Sequence, residues 1–255
     1  MKKPDYVAIA KEYMRGVLDG SVPACSFVKQ AVQRQLNDLR RWGPEGGDYY
    51  FDEKEASRPC WFIENLTHTK GKLAGRAIHL EPWQCFLLTT LFGWKAKAGN
   101  RRFRSAYVEV GRGNGKSTLL SGIGLFCLCA DHEPGAEVYS FATTREQAKI
   151  VFGDAQTMAR GNRALQEAYG LEVTAHALYV PATNSTFQAK SAEGSTLDGL
   201  NTHLAIIDEL HAHKKRDVFD VVETSLGKRR NSLMVSITTA GVARTGICYE
   251  QRTLV

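Results

Sequence analysis

The run Val108 to Leu120, VEVGRGNGKSTLL, sets a lysine and a hydroxyl residue directly behind three glycines. Glycines let a backbone close around an anion, a lysine can hold β- and γ-phosphates, and a serine hydroxyl can enter a Mg²⁺ shell. The strict phosphate-loop spacing G-x-x-x-x-G-K-[ST] needs glycine at position 110, where Val110 stands. Only Gly115, Lys116 and Ser117 match it, with Gly111 and Gly113 offset and Arg112 adding a second cation. The chemistry survives the offset if the strand AYVEV runs into a turn that opens a helix, since backbone N–H groups then converge on phosphate oxygens. A glycine-rich strand-to-helix turn that binds nothing is the plainer alternative.

A second stretch, HLAIIDELHAH, places the apolar residues Leu204 to Ile207 ahead of Asp208 and Glu209. At the end of a buried strand, one acid can hold a Mg²⁺ shell while the next orients and deprotonates a water, which is the chemistry of hydrolysis. Taken alone, the pair reads more readily as solvated carboxylates between a strand and a helix; behind a phosphate loop the hydrolytic reading prevails. In SLMVSITTAG another apolar strand ends in Thr238 and Thr239, ahead of Gly241. Hydroxyls there can reach a γ-phosphate or the attacking water and report hydrolysis elsewhere.

These residues need a scaffold, and the sequence describes one. Its 255 residues, 43% hydrophobic and 24% charged, suit one large folded domain, or one domain plus a small appendage, rather than a disordered chain. A net charge of +6 favours a polyanionic partner without proving one. Six cysteines without a C-x-x-C pair, two of them inside LFCLCA, read as reduced core residues rather than a zinc site or a disulfide framework. The first residues lack a secretion signal, and the run Leu119 to Ala130 is too short to span a bilayer and suits a buried helix, so no membrane role is expected.

Helical spacing marks DYVAIAKEYMRGVLDG, ending at Gly20, and SFVKQAVQRQLNDLRRW. A third helix through EKEASRPCWFIENLTH is expected to be interrupted at Pro59, and PWQCFLLTTLFGW reads as an amphipathic core helix. RSAYVEV, AEVYSFAT, LYVPAT, STFQAK, HLAIIDE and SLMVSITT are strand candidates, with helices after Gly115, Thr144 and Arg216. The expected fold is α/β: a three-layer P-loop NTPase with a mostly parallel central sheet (residues 76–255) and a helical N-terminal appendage (residues 1–75).

Several longer segments carry a resemblance. FIENLTHTKGKLAGRAIHLEPWQCFLLTTLFGW, FATTREQAKIVF, SAEGSTLDGLNTHLAIIDELHAHK and SITTAG, in this order behind the glycine loop, resemble the ATPase region of the large terminase subunit of tailed bacteriophages or prophages, an additional-strand P-loop ATPase. The resemblance runs from about Ala56 to the end, and Val110 fits it, because terminase loops often lack the first glycine and carry arginine where Arg112 stands. It implies ATP and Mg²⁺ as cofactors and a motor that pushes double-stranded DNA into a procapsid. The motor would be a homo-oligomeric ring, typically a pentamer, working with the portal protein and the small terminase subunit in the host cytoplasm. By the resemblance, Trp83 and Gln84 match the adenine-side motif, Arg112, Gly113, Asn114, Gly115, Lys116, Ser117 and Thr118 the phosphate loop, and Asp208 the Mg²⁺-holding acid. Glu209 then matches the catalytic base and Thr238 and Thr239 the coupling motif. Arg145, Arg216, Arg229, Arg230 and Arg244 are candidates for an arginine lent to a neighbouring subunit.

Relatives of this kind also carry a C-terminal RNase H-like nuclease. No second acidic cluster follows the coupling motif, so nuclease activity is not expected of this chain. Basic clusters at KAKAGNRRFR, HKKRD and KRR can follow a DNA backbone or serve as surface charge. Two rivals stand: a DExH-type helicase fragment, because DELH and SITTAG also suit that class, and a DNA-binding or assembly scaffold that hydrolyses nothing.

Overall fold

The computed structural model describes residues 3–42, 47–191, 199–213, 216–241 and 245–254. It divides into two compact units: residues 1–65 with 78–103, and residues 66–77 with 104–255. The single cut expected after residue 75 therefore becomes three crossings, with residues 78–103 belonging to the N-terminal unit.

In the N-terminal unit, helix α1 (Tyr6–Asp19) begins where the Asp5 side chain accepts from the Ala8 N–H at 2.9 Å. It ends at Gly20, whose φ of 84° suits a residue without a Cβ. Helix α2 (Ser26–Trp42) follows, then β1 (Tyr49–Phe51), α3 (Glu53–Glu64), α4 (Pro82–Gly93) and β2 (Trp94–Ala96), with β1 and β2 antiparallel. The expected interruption at Pro59 does not occur. Pro59, Cys60, Phe62 and Ile63 are all buried in α3, which packs on α4, and this burial outweighs one missing intrahelical hydrogen bond. Nor is α4 amphipathic: an unbroken run from Leu88 to Gly93 is buried, so every side of its last turns faces protein.

The second unit is the α/β layer structure that the sequence indicated. Its elements run β3 (Ser105–Glu109), α5 (Lys116–Cys129), β4 (Glu137–Ala142), α6 (Arg145–Arg160), α7 (Arg163–Tyr169), β5 (Glu172–Val173), β6 (Leu178–Val180), β7 (Ser185–Ser191), β8 (Thr202–Asp208), α8 (Asp217–Ser225), β9 (Leu233–Thr238) and α9 (Gly246–Leu254). One seven-stranded sheet takes the order β3-β9-β8-β4-β7-β6-β5, parallel from β3 to β7 and antiparallel at β6 and β5.

Alternation along the buried strands sends side chains to two helical layers. Tyr139, Phe141, Ala205, Ile207 and Met234 cluster with Val218, Phe219 and Val222 of α8 and Ile247 of α9. On the other face α5 lies so close that a Cβ on Gly124 would stand 2.6 Å from Phe187 and 3.4 Å from Ile206. Residues 66–77 join this unit through Asp154 of α6, which pairs with Lys70 at 2.8 Å and accepts from Thr69 Oγ1 at 3.1 Å.

All six cysteines are free thiols. Cys127, Asp131 and His203 place potential ligand atoms within 4.8 Å of one another. The 2.7 Å between His203 Nε2 and Asp131 Oδ2 is a hydrogen-bond separation, shorter than the roughly 3.3 Å between two ligands of one tetrahedral zinc ion.

Candidate nucleotide site

Parallel strands bring their C-terminal ends to one edge of the sheet, where loops can meet a ligand. Three of those ends carry the candidate residues. Strand β9 lies between β3 and β8, with Glu109 opposite Thr238 and Ile237 opposite Asp208. The glycine loop, the acid pair and the threonine pair thus leave three adjacent strands.

The loop explains its own irregular spacing. The Val110 N–H donates to Thr238 O at 3.0 Å, extending the β3–β9 pairing by one residue, and Val110 is not among the described residues with positive φ. A side chain is tolerated there because the backbone turns later, at Gly113 (φ 83°) and Gly115 (φ 68°), where a Cβ is disfavoured. Asn114 Nδ2 donates to Gly111 O at 3.1 Å and braces the turn. Gly115 is the N-cap of α5 and supplies no side-chain cap, so the first N–H groups of the helix are offered to a ligand.

Lys116 is the first residue of α5 and is buried, yet its ammonium is well supplied with acceptors. Nζ lies 3.4 Å from Val110 O, 3.5 Å from Gly111 O and 3.9 Å from Glu209 Oε1. Ser117 and Thr118 are half-buried on the same turn, and Arg112 is exposed at the loop tip.

Asp208 ends the fully buried β8 and is only 8% exposed. Its carboxyl is pushed above the usual aspartate range, first by burial and then by the neighbouring Glu209 charge. The Glu209 N–H, donated to Oδ1 at 2.9 Å, and Lys116 act in the opposite direction. Glu209 itself adopts the left-handed conformation, φ 49° and ψ 50°, rare for a residue with a Cβ and concentrated at functional sites. Glu209 Oε2 lies 3.1 Å from His211 Nδ1 and 3.4 Å from Thr239 Oγ1. Thr238, fully buried, accepts from the His211 N–H at 3.1 Å.

Lys116, Asp208, Glu209, Thr238 and Thr239 are thus one cluster. Gln84 and Trp83 sit on α4 in the N-terminal unit, where Gln84 Oε1 caps the helix by accepting from the Glu81 N–H at 2.9 Å. That bond leaves the amide N–H pair of Gln84 available as a donor.

Among the arginines, Arg229 is spent internally, reaching Asn201 O at 2.8 Å, Glu133 at 2.9 Å, Pro134 O at 3.0 Å and Gly135 O. Arg216 pairs with Asp220 and Glu250, and Arg230 is exposed. The side chain of Arg145 and all of Arg244 lie outside what the structure describes, as do Lys214 and Lys215 of HKKRD.

The cluster KAKAGNRRFR is also partly internal: Arg101 is buried against Phe92, Arg102 pairs with Asp38 at 2.8 Å, and Arg104 binds Ser232 and the carbonyls of Leu226 and Arg229. His211 is the residue that sequence reasoning passed over. Its sequence signal is the last letter of DELH, two residues beyond Glu209.

A family model described as "Terminase large subunit, ATPase domain" matches residues 82–255. The chain belongs to that family. The large terminase subunit of Enterobacteria phage HK97 is 32% identical over 182 residues, covering 70% of this chain and 35% of that protein. The counterpart from Lactococcus phage p2 is 22% identical over 228 residues, covering 87% and 41%. The crystal structure of the HK97 large terminase superposes with a TM-score of 0.63 at 30% identity, over 74% of this chain and 38% of that one. This terminase ATPase domain therefore spans between a third and about two fifths of the length of the relatives it matches. Membership separates it from the helicases whose DExH signature it shares locally.

Proposed function

We propose that this terminase ATPase domain hydrolyses ATP to drive double-stranded DNA into a procapsid. The observation that carries the reading is the convergence of the Lys116 ammonium and the Glu209 carboxylate, 3.9 Å apart, beside the buried Asp208. Lys116 and Arg112 neutralise charge on the β- and γ-phosphates, while the N–H groups of Gly113 to Thr118 cradle them. Ser117 and Asp208 form an all-oxygen donor pair, and the buried Asp208 carboxylate gains from a nearby cation, so both fit Mg²⁺. The ion, when bound, supplies charge neutralisation between the phosphates. Glu209 orients the attacking water and takes its proton, and Thr239, beside the buried Thr238, senses the γ-phosphate.

The motor acts as a ring, by family precedent a pentamer, with the portal protein and the small terminase subunit, in the host cytoplasm while docked on the procapsid. A neighbouring subunit lends an arginine to the site. We propose further that the terminase to which this ATPase region belongs cuts concatemeric DNA.

ATP turnover by the chain, with Lys116→Ala and Glu209→Ala alongside and with or without linear double-stranded DNA, tests the reading. Loss of nucleotide binding in the first variant, and retained binding with lost turnover in the second, support it. Equal background rates in all three proteins, persisting when the full-length protein is assayed with procapsids, overturn it.

A further inference from the structure

Glu209 holds a left-handed backbone conformation that is uncommon for a residue with a Cβ. Its left-handed turn sends the chain into a short 3₁₀ turn, Leu210–Ala212, closed by the Ala212 N–H on Glu209 O at 2.8 Å. That turn folds His211 back over the end of β9. Two groups of His211 then meet the same atom: its backbone N–H lies 3.1 Å and its ring Nδ1 2.9 Å from Thr238 Oγ1. The ring Nδ1 also lies 3.1 Å from Glu209 Oε2.

Counting hydrogens fixes the direction of these bonds. The Thr238 hydroxyl donates its one hydrogen to Thr239 O at 2.9 Å, so Oγ1 has only lone pairs left for His211. A carboxylate likewise only accepts. Both neighbours of Nδ1 are therefore acceptors, and Nδ1 must carry the proton. That N–H is bonded to the hydroxyl at the end of β9 and stands 3.1 Å from the carboxylate that follows β8.

We propose that His211 is a positioning residue for hydrolysis, fixed to Thr238 through its Nδ1–H and holding the neighbouring Glu209 carboxylate on the water. This rests on the reading of Glu209 as the base. It adds that Glu209 is not aimed by its own backbone alone: a displacement of the β9 end moves the histidine proton toward one acceptor and away from the other. The two strands are thereby linked by a side chain as well as by the ladder. His211 does not touch the nucleotide in this scheme, so its loss affects turnover and not binding.

The test is steady-state ATP hydrolysis by the chain and by His211→Ala, His211→Asn, Thr238→Val, Glu209→Gln and the His211→Ala/Thr238→Val pair. We expect His211→Ala to lower kcat by roughly ten- to a hundredfold with KM for ATP little changed, as a misaimed catalytic group should. His211→Asn, whose amide N–H falls near the place of Nδ1–H, should recover most of the rate. The double variant should be no slower than the worse single one, because both remove the same link. An unchanged kcat in His211→Ala, an equal loss in His211→Asn, or additive losses in the pair would overturn the proposal.

If the parent does not hydrolyse ATP, or does so unaffected by Glu209→Gln, it is the functional reading that fails, and the hydrogen-bond claim is then judged on its own. For that, ¹⁵N spectra of the His211 ring in the parent should show the Nδ1–H tautomer, with its signal displaced in Thr238→Val. The Nε2–H tautomer would overturn the proposal whatever the turnover.

Discussion

The Lys116 ammonium stands 3.9 Å from Glu209 Oε1 while leaning on the carbonyls of Val110 and Gly111. The buried cation of the phosphate loop and the partly exposed acid that follows β8, two strands away in the sheet, thus face one another, and burial disfavours leaving Lys116 without a partner. On the proposed reading, a triphosphate arriving at the loop competes with Glu209 for Lys116 and, in winning, frees the acid to take up a water. Glu209→Gln removes the competitor. It should therefore bind ATP several-fold more tightly than the parent while losing turnover by at least about a hundredfold, as loss of a general base does. Fluorescent-nucleotide titration beside a phosphate-release assay reads both quantities, and a weaker affinity in Glu209→Gln would contradict the competition.

Restoring the missing first glycine should bring no benefit. Val110 continues the β3–β9 pairing and needs no positive φ, so Val110→Gly only adds freedom to the unfolded chain, at about 0.5–1 kcal/mol of stability. Gly113→Ala and Gly115→Ala, both forced into the left-handed region, should each destabilise by about 1–2 kcal/mol and weaken nucleotide binding. Thermal unfolding and ATP titration of the three variants provide the check.

Acid should loosen this domain through His213. The ring is buried, and burial lowers its proton affinity below the ordinary value of 6.5, against a smaller opposing effect from its hydrogen bond to the Asp208 backbone. A histidine depressed in the folded state contributes stability above its unfolded pKa, and that stability is lost as the pH falls through the folded value. Denaturant midpoints measured from about pH 8 down to about pH 5 should fall in the parent and fall less in His213→Phe. Parallel curves would exclude His213 as the source.

Arg229 and Arg230 are neighbours with opposite prospects. Arg229→Ala strands Glu133 and the carbonyls of Asn201, Pro134 and Gly135, and should destabilise by about 2–4 kcal/mol. Arg229→Lys cannot reproduce that fork and should recover little. Arg230→Ala should leave the melting temperature unchanged, since the residue is exposed. On the proposed ring reading, Arg230 is the one of this pair exposed enough to reach a neighbouring subunit, and mixing active protein with Arg230→Ala subunits should then give a disproportionate loss of DNA-dependent turnover.

Much of this was legible in the residues because long elements repeat their signals. All six strand candidates are strands, and helices follow Gly115, Thr144 and Arg216 as expected. The strands that escaped, β1, β2 and β5, have two or three residues each and owe their existence to partners far away in sequence. Pro59 misled because propensity is local while its burial is tertiary. The cluster Lys116, Asp208, Glu209 could be anticipated from strand-end chemistry. The share of His211 in it could not, since nothing in the letters DELH announces that a glutamate will take a glycine's backbone conformation.

That conformation sets stability and chemistry against each other at a single position. A glycine at 209 would relieve strain of roughly 1 kcal/mol and remove the acid altogether. A population of variants selected for heat resistance alone would drift toward Glu209→Gly and end as robust, inert proteins. Survival of the glutamate in such a population would require a screen that demands turnover as well.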